Sequence, residues 1–502
     1  MTTQVPPSDD AIKLDSPPSA VGATDLDRSL VGGIAWTGGV KAVTQALSWL
    51  STLVVARLLS PTDYGICGMA TIFIGLVQIV NEFGLSAAVV QRRDLSDEQI
   101  SKLGGLTVLL GAVIFIVAVL GSPLVASFFG QPAVRDVVIV LSTTFLTSSF
   151  QVLPRSLLTR ELRFRTLASV DAAEAVTQTI VTLVLAVLGW RYWSIVVGLV
   201  AGRIASTILA LRVRNHRLSW PSPLTTIKDS VFFGAHVTGG SLAWYAFRSA
   251  DMTVVGRRLG DVALGAYTIG WTLASLPVDK VASLVARATP AIFARVQDDR
   301  DALRRYVLSL TEGIGVIAVP ASIGLALVAG DFLTGVLGAR WQPAVLPLRI
   351  LALSAILRST VPILNQVLIA TGQTRRNMQG TIEMAIVLPI LFVVGSVWGT
   401  TGVAVVWLLG YPVASFAFYS RHALQTCGLS LVEFLQPLAV PTVASVAMSA
   451  VVLLIHQAWP SGGLIVRLVL EVVAGAGVYV GIVYAVRGAR IISLIESLRA
   501  QA

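Results

Sequence analysis

Two cysteines and four histidines among 502 residues leave little material for thiol or metal chemistry. Cys67 falls inside an apolar run and Cys427 in a turn far along the chain, so they do not read as a bridge, and no Cys/His cluster has metal-ligand spacing. Charge is just as scarce: 13% of residues are Asp, Glu, Lys or Arg against 55% hydrophobic, a balance that excludes an ordinary soluble domain. No GxxxxGK[ST] phosphate loop is present to hold a nucleotide. Long hydrophilic stretches are missing too. The longest connections between apolar runs are about 331–343 on one side and 287–306 on the other, short for the catalytic loop of a membrane polymerase, ligase or glycosyltransferase. The expectation is a transporter without a cofactor, not an enzyme.

What the chain has in abundance is apolar length. Mean hydropathy is +0.79, and each crossing of a bilayer core takes roughly 20 apolar residues. Fourteen such runs can be placed, from 35–58 to 464–486, which predicts an all-α integral membrane protein. Residues 1–27, rich in Pro, Ser and Asp, read as a disordered cytoplasmic tail. Of the 37 Lys and Arg, 24 fall in the tails and alternate loops of one side, among them Arg92, Arg93, Arg163, Arg165, Arg214 and Arg217; seven fall on the other. Basic short loops stay cytoplasmic, so both termini are expected inside. The net charge of +10 is then a topology signal, not a nucleic-acid surface.

The chain also repeats itself. Shifted by 201 residues, 29–58 aligns with 230–259, matching Gly33 with Gly234, Gly38 and Gly39 with Gly239 and Gly240, Thr52 with Thr253 and Arg57 with Arg258; after one residue of slippage Gly65 meets Gly265. Six runs per half is an even number, so the halves are parallel repeats about an axis along the membrane normal. The expected layout is an N-lobe over 28–212, a cytoplasmic linker over 213–229, a C-lobe over 230–422, two extra spans within 423–486 and a cytoplasmic tail over 487–502. Two pseudo-symmetric bundles facing across a cleft make an alternating-access machine.

Several stretches carry a family likeness: ARLLSPTDYG (56–65), GLSAAVVQRRDLSDEQ (84–99), LLTRELRFR (157–165), SADMTVVGRRLGDVALGAY (249–267) and RATPAIFARVQDD (287–299). As an ordered set the chain resembles the polysaccharide exporter branch of the multidrug/oligosaccharidyl-lipid/polysaccharide superfamily, the Wzx-type flippases, with Ala250 where the family usually has Asn before Asp251. The resemblance implies twelve core helices plus two, with a cavity lined by the first, second, seventh and eighth spans. It implies a polyprenyl-pyrophosphate-linked oligosaccharide as substrate, contact with membrane lipids, polysaccharide polymerase and chain-length machinery as partners, and the bacterial inner membrane as location. Cousins in the superfamily export drugs, so a cation-coupled multidrug efflux pump is the alternative, with a polymerase or ligase third.

Ionisable side chains at bilayer depth are costly unless they face water or a partner, which makes them the candidate site residues. Lys41 and Gln45 form a polar stripe on the first span; Trp244, Arg248 and Asp251 form the matching stripe on the seventh. Lys41, Gln45, Arg248 and Lys280 are expected to hold a pyrophosphate headgroup, since arginine grips phosphate oxygens bidentately and lysine adds a point charge. Asp251, three residues from Arg248, is expected to pair with it and to couple transport to an ion, with Glu82 and Glu383 as further candidates. Arg203, Arg349 and Arg358 read as structural. Trp190, Trp341, Trp398, Trp407 and Trp459 read as interfacial belt residues, and 289–305 as an amphipathic helix at the inner surface linking the halves.

Overall fold

The computed structural model describes residues 44–82, 95–222, 244–459 and 463–500, with a few isolated positions between them; side chains are described over 44–81, 95–222, 244–276, 292–459 and 463–486. Among these residues all regular structure is helical and there is no strand. A helix over 44–58, α1, is followed by α2 (Pro61–Glu82), α3 (Asp97–Phe129), α4 (Ala133–Arg160), α5 (Phe164–Val187) and α6 (Tyr192–Val213). Then come α7 (Ala250–Val296), α8 (Arg300–Gly330), α9 (Gln342–Ala370) and α10 (Thr374–Gly395). A composite helix over 399–427, α11, precedes α12 (Ala439–Ala458) and α13 (Leu464–Ala500). Among the described residues, ten stretches are long and apolar enough to cross a membrane.

Local sequence sets the ends of these helices. Ser96 and Gln99 close a capping box at the start of α3, where Asp97 and Glu98 face the helix dipole, and Gly130 ends it with a left-handed φ of 68°. Asp299 caps α8 by accepting from the Asp301 and Ala302 amides. Asp299 also shows that 289–305 is no separate surface helix. That segment is the end of α7, a short turn and the start of α8, all in the second half of the chain, with Phe293 and Leu303 fully buried. The apolar positions that suggested a lipid-facing stripe serve the core instead.

One helix is really two. Tyr267 donates to Asp251 at 2.9 Å, yet in a straight helix sixteen residues rise about 24 Å. The chain folds back at Gly260, whose φ of 86° and ψ of −174° leave helical space, giving α7 a first arm up to residue 259 and a second from 261. A similar break at Gly399, with φ 70°, separates α10 from α11; Gly395 and Gly402 pack there backbone to backbone, so that a Cβ on either would strike the other's carbonyl. The stretch Thr374–Cys427 thus holds two of the crossings. With α1 and the two arms of α7 added, the order of the described helices follows that of the fourteen apolar runs.

The two halves meet along α2 and α7, and the largest hydrophobic core runs across that junction from Met69 to Tyr267 and Trp341. α12 and α13 pack on each other and on the flank of α8, through Met448, Tyr479 and Val483 against Ile323 and Leu327. Tyr479 donates to the Val316 carbonyl at 2.7 Å. Where both helices sit in lipid, such packing and hydrogen bonding hold them, since lipid tails are as apolar as the side chains.

Candidate transport site

At one end of the bundle the halves are closed on each other, and backbone does most of the closing. A Cβ on Gly65 would collide with the Asp261 carbonyl, and one on Gly265 with the Pro61 carbonyl. The contact is reciprocal: residues paired by the repeat meet each other's backbone. Around it, the fully buried Trp341 donates its indole N–H to the Ala56 carbonyl at 2.8 Å and stands edge-on to Tyr64, with ring centres 5.4 Å apart. Arg57 donates to the Gly335 and Val336 carbonyls, and Arg340 returns bonds to the Arg57 and Leu58 carbonyls. Gln131 donates to Asp261 at 3.1 Å. Trp341 is therefore a lock residue, not a belt residue; a proper belt setting is found at Trp190, Trp398 and Trp459, which are exposed.

Nearer the middle, Tyr245 reaches from the second half to donate to the Ile72 carbonyl at 3.0 Å, beside Gly75, which leaves room for its hydroxyl. Deeper in the second half lies a cluster that sequence reasoning assembled wrongly. Asp251 is fully buried and accepts from the Met252 amide at 2.7 Å, the Tyr267 hydroxyl at 2.9 Å and the Trp407 indole at 2.8 Å. Behind these donors the Arg358 guanidinium sits 3.9 Å from the Trp271 ring centre and 5.2 Å from that of Trp407, and donates to Ser275 at 3.3 Å. Trp407 touches both charges, its N–H on the carboxylate and its ring face on the cation. Arg358, read from sequence as structural, and Trp407, read as belt, are the centre of this cluster; Tyr267 went unremarked.

Arg248 and Asp251 do not pair. The helix is interrupted at Ser249, with φ −101° and ψ 2°, so the i, i+3 neighbourhood that a continuous helix imposes is lost. Arg248 is exposed and lies over the Trp244 ring, 5.0 Å from its centre. Gln45 is half-buried on α1 and Glu383 is exposed on α10. Lys280 and Glu82 lie on α7 and α2 with side chains outside the described residues, and Lys41 lies outside them altogether. Of the other membrane-depth charges, Arg155 pairs with Asp171 at 2.6 Å and Arg203 with Glu174 at 3.3 Å, inside the first half. Asp331, His456 and Glu471 bring ligand atoms within 4.8 Å of one another. Arg467 supplies a cation there, 2.7 Å from Asp331 and 3.8 Å from Glu471, so the group reads as an ion-pair network tying α13 to the end of α8.

A polytopic helical protein built from two halves, closed at one end and carrying guarded charges at mid-depth, has the build of an alternating-access transporter. The same fold appears in the solved lipid II flippase MurJ, in its inward closed conformation, with a TM-score of 0.69 and 14% identity over 91% of this chain and 99% of that one. It appears again in an inward-facing multidrug resistance MATE family transporter of the MOP superfamily, with a TM-score of 0.59 and 15% identity over 76% of this chain and 95% of that one. The chain belongs to the polysaccharide biosynthesis protein family, whose model matches residues 54–346. Among its curated relatives is the lipopolysaccharide biosynthesis protein WzxC of Escherichia coli K12, 22% identical over 83% of this chain and 85% of the relative.

Proposed function

We propose that the protein carries a lipid-linked oligosaccharide of a polysaccharide pathway across a membrane by alternating access. The observation that supports this reading most is the family match over 54–346, because the fold alone is shared with multidrug transporters. The bias of basic residues supports an inner-membrane orientation with both termini cytoplasmic, which makes the closed end extracytoplasmic. A polysaccharide polymerase and chain-length machinery are the partners such a product calls for.

In this reading the headgroup pyrophosphate is met in the cleft by Lys41, Gln45, Arg248 and Lys280. Arg248, exposed on its tryptophan ledge, is a cation held for an incoming anion. For ion coupling, of Asp251, Glu82 and Glu383, we carry Asp251 forward, with Arg358 in the place first given to Arg248. Trp407 stands between the two charges, its indole N–H on Asp251 and its ring face toward Arg358. An anion that draws Arg358 away strips Asp251 of its counter-charge and leaves it to take up a cation.

The test is flipping in proteoliposomes loaded with a fluorescent lipid-linked oligosaccharide. Wild type is expected to equilibrate it between leaflets, and Arg248→Ala to slow this by roughly tenfold or more through loss of a charge-assisted phosphate contact. Transport of cationic dyes without any lipid flipping would favour the efflux pump instead.

A further inference from the structure

Beside the closed end, between α2 and the first arm of α7, runs a groove of about 510 Å3. Its walls come from both halves and include Ile72 and Leu76 of α2, Phe128 of α3, Ala246 and Thr253 on the α7 side, and Pro389 of α10. Leu76 and Phe128 are 37% and 46% exposed, so the groove opens sideways toward the membrane. Against Phe128, one of its lining residues, stands Arg257. This residue lies one turn after the lining residue Thr253 on the first arm of α7. Its guanidinium is 5.4 Å from the centre of the Phe128 ring, and it forms no ion pair among the described residues.

An apolar trough open to lipid and flanked by an unneutralised arginine matches an amphiphile with a long chain and an anionic head. We propose that this groove holds the polyprenyl chain of the lipid-linked substrate, with Arg257 meeting its phosphate. The inference rests on the flippase reading. A headgroup lodged between the halves stays joined to a chain in the bilayer only through a lateral gap between those halves, and this groove is such a gap. Arginine over an aromatic ring keeps its N–H fork free for phosphate oxygens.

The probe is a fluorescent polyprenyl diphosphate with a photoreactive chain end, bound to the purified full-length protein. Labelling is expected on α2, α3 and the first arm of α7. Ala246→Trp, which fills the trough, is expected to weaken binding about tenfold, the worth of roughly two buried methylenes. Arg257→Gln is expected to weaken the diphosphate but not the uncharged polyprenol. Leu120→Trp, on the lipid face of α3 outside the groove, serves as the control that leaves binding unchanged. Wild-type binding by both Ala246→Trp and Arg257→Gln overturns the proposal, as does equal displacement of the probe by phosphatidylglycerol, which would make the groove a seat for bilayer lipid. Flipping separates the two readings: a wild type that flips no lipid-linked oligosaccharide refutes the function, whereas wild-type flipping rates in both variants refute the groove alone.

Discussion

The closed end and the Asp251 cluster are held by opposite means. At the closed end, Gly65 and Gly265 admit each other's neighbouring carbonyls, and Trp341, Arg57 and Arg340 all donate to backbone oxygens of the opposite half. At the cluster, Asp251, Tyr267, Trp407 and Arg358 recognise one another through side chains within one half. Bonds to backbone between the halves can be broken and remade without leaving a buried charge alone. The Tyr267 and Trp407 donors on the fully buried carboxylate have no such freedom, because either one removed leaves an unsatisfied group, whereas Arg358 makes no bond to Asp251 and can move. The closed end is thus suited to opening, and the cluster to keeping one half rigid while its charge balance is sensed.

Breaking the closed end should have the larger effect on transport. Gly265→Leu places a branched side chain where the Pro61 carbonyl sits, so the halves cannot close, and overpacking in a tight contact costs about 1–3 kcal/mol. Thiol probes added from the closed-end side should then reach cysteines introduced near residues 61–65, and lipid flipping should fall by roughly tenfold or more. Unchanged accessibility would mean that this contact does not hold the conformer.

The cluster should answer in stability. Asp251→Leu leaves the Trp407 and Tyr267 donors without their acceptor and removes the negative charge nearest Arg358, a loss of about 3–5 kcal/mol for buried groups left uncompensated. Asp251→Asn keeps one oxygen for both donors and should lose only about 1–2 kcal/mol. Thermal unfolding in detergent should therefore rank wild type above Asn and Asn above Leu. If the Asn variant is stable yet flips at a rate indifferent to an imposed ion gradient that wild type follows, the carboxylate's charge is what couples; equal gradient response in both would leave Asp251 a packing residue.

The same contrast explains what could be read in advance. Fourteen crossings followed from apolar run length alone, and the repeat offset that pairs Gly65 with Gly265 named the two residues that touch. Both are properties of order along the chain. The Asp251 cluster joins residues 251, 267, 271, 358 and 407, and no local period links them. Arg248 looked like the partner of Asp251 because a helix makes i and i+3 neighbours, and only the break at Ser249 undoes that. Trp341 and Trp407 lie near span ends, where tryptophan is usually interfacial; burial at a lock and in a cluster left no mark on their immediate sequence. One signal was available for Arg358: a charge in the middle of an apolar run needs a partner or a cavity.

For a lipid-linked oligosaccharide to cross, the closed end must open. Gln131 and Asp261, hydrogen-bonded at 3.1 Å across the halves, offer the means to test it. With both replaced by cysteine in a background lacking Cys67 and Cys427, a short thiol crosslinker should abolish flipping in proteoliposomes, and a cleavable version should restore it on reduction. Full flipping by the crosslinked protein would mean that the closed end need not open.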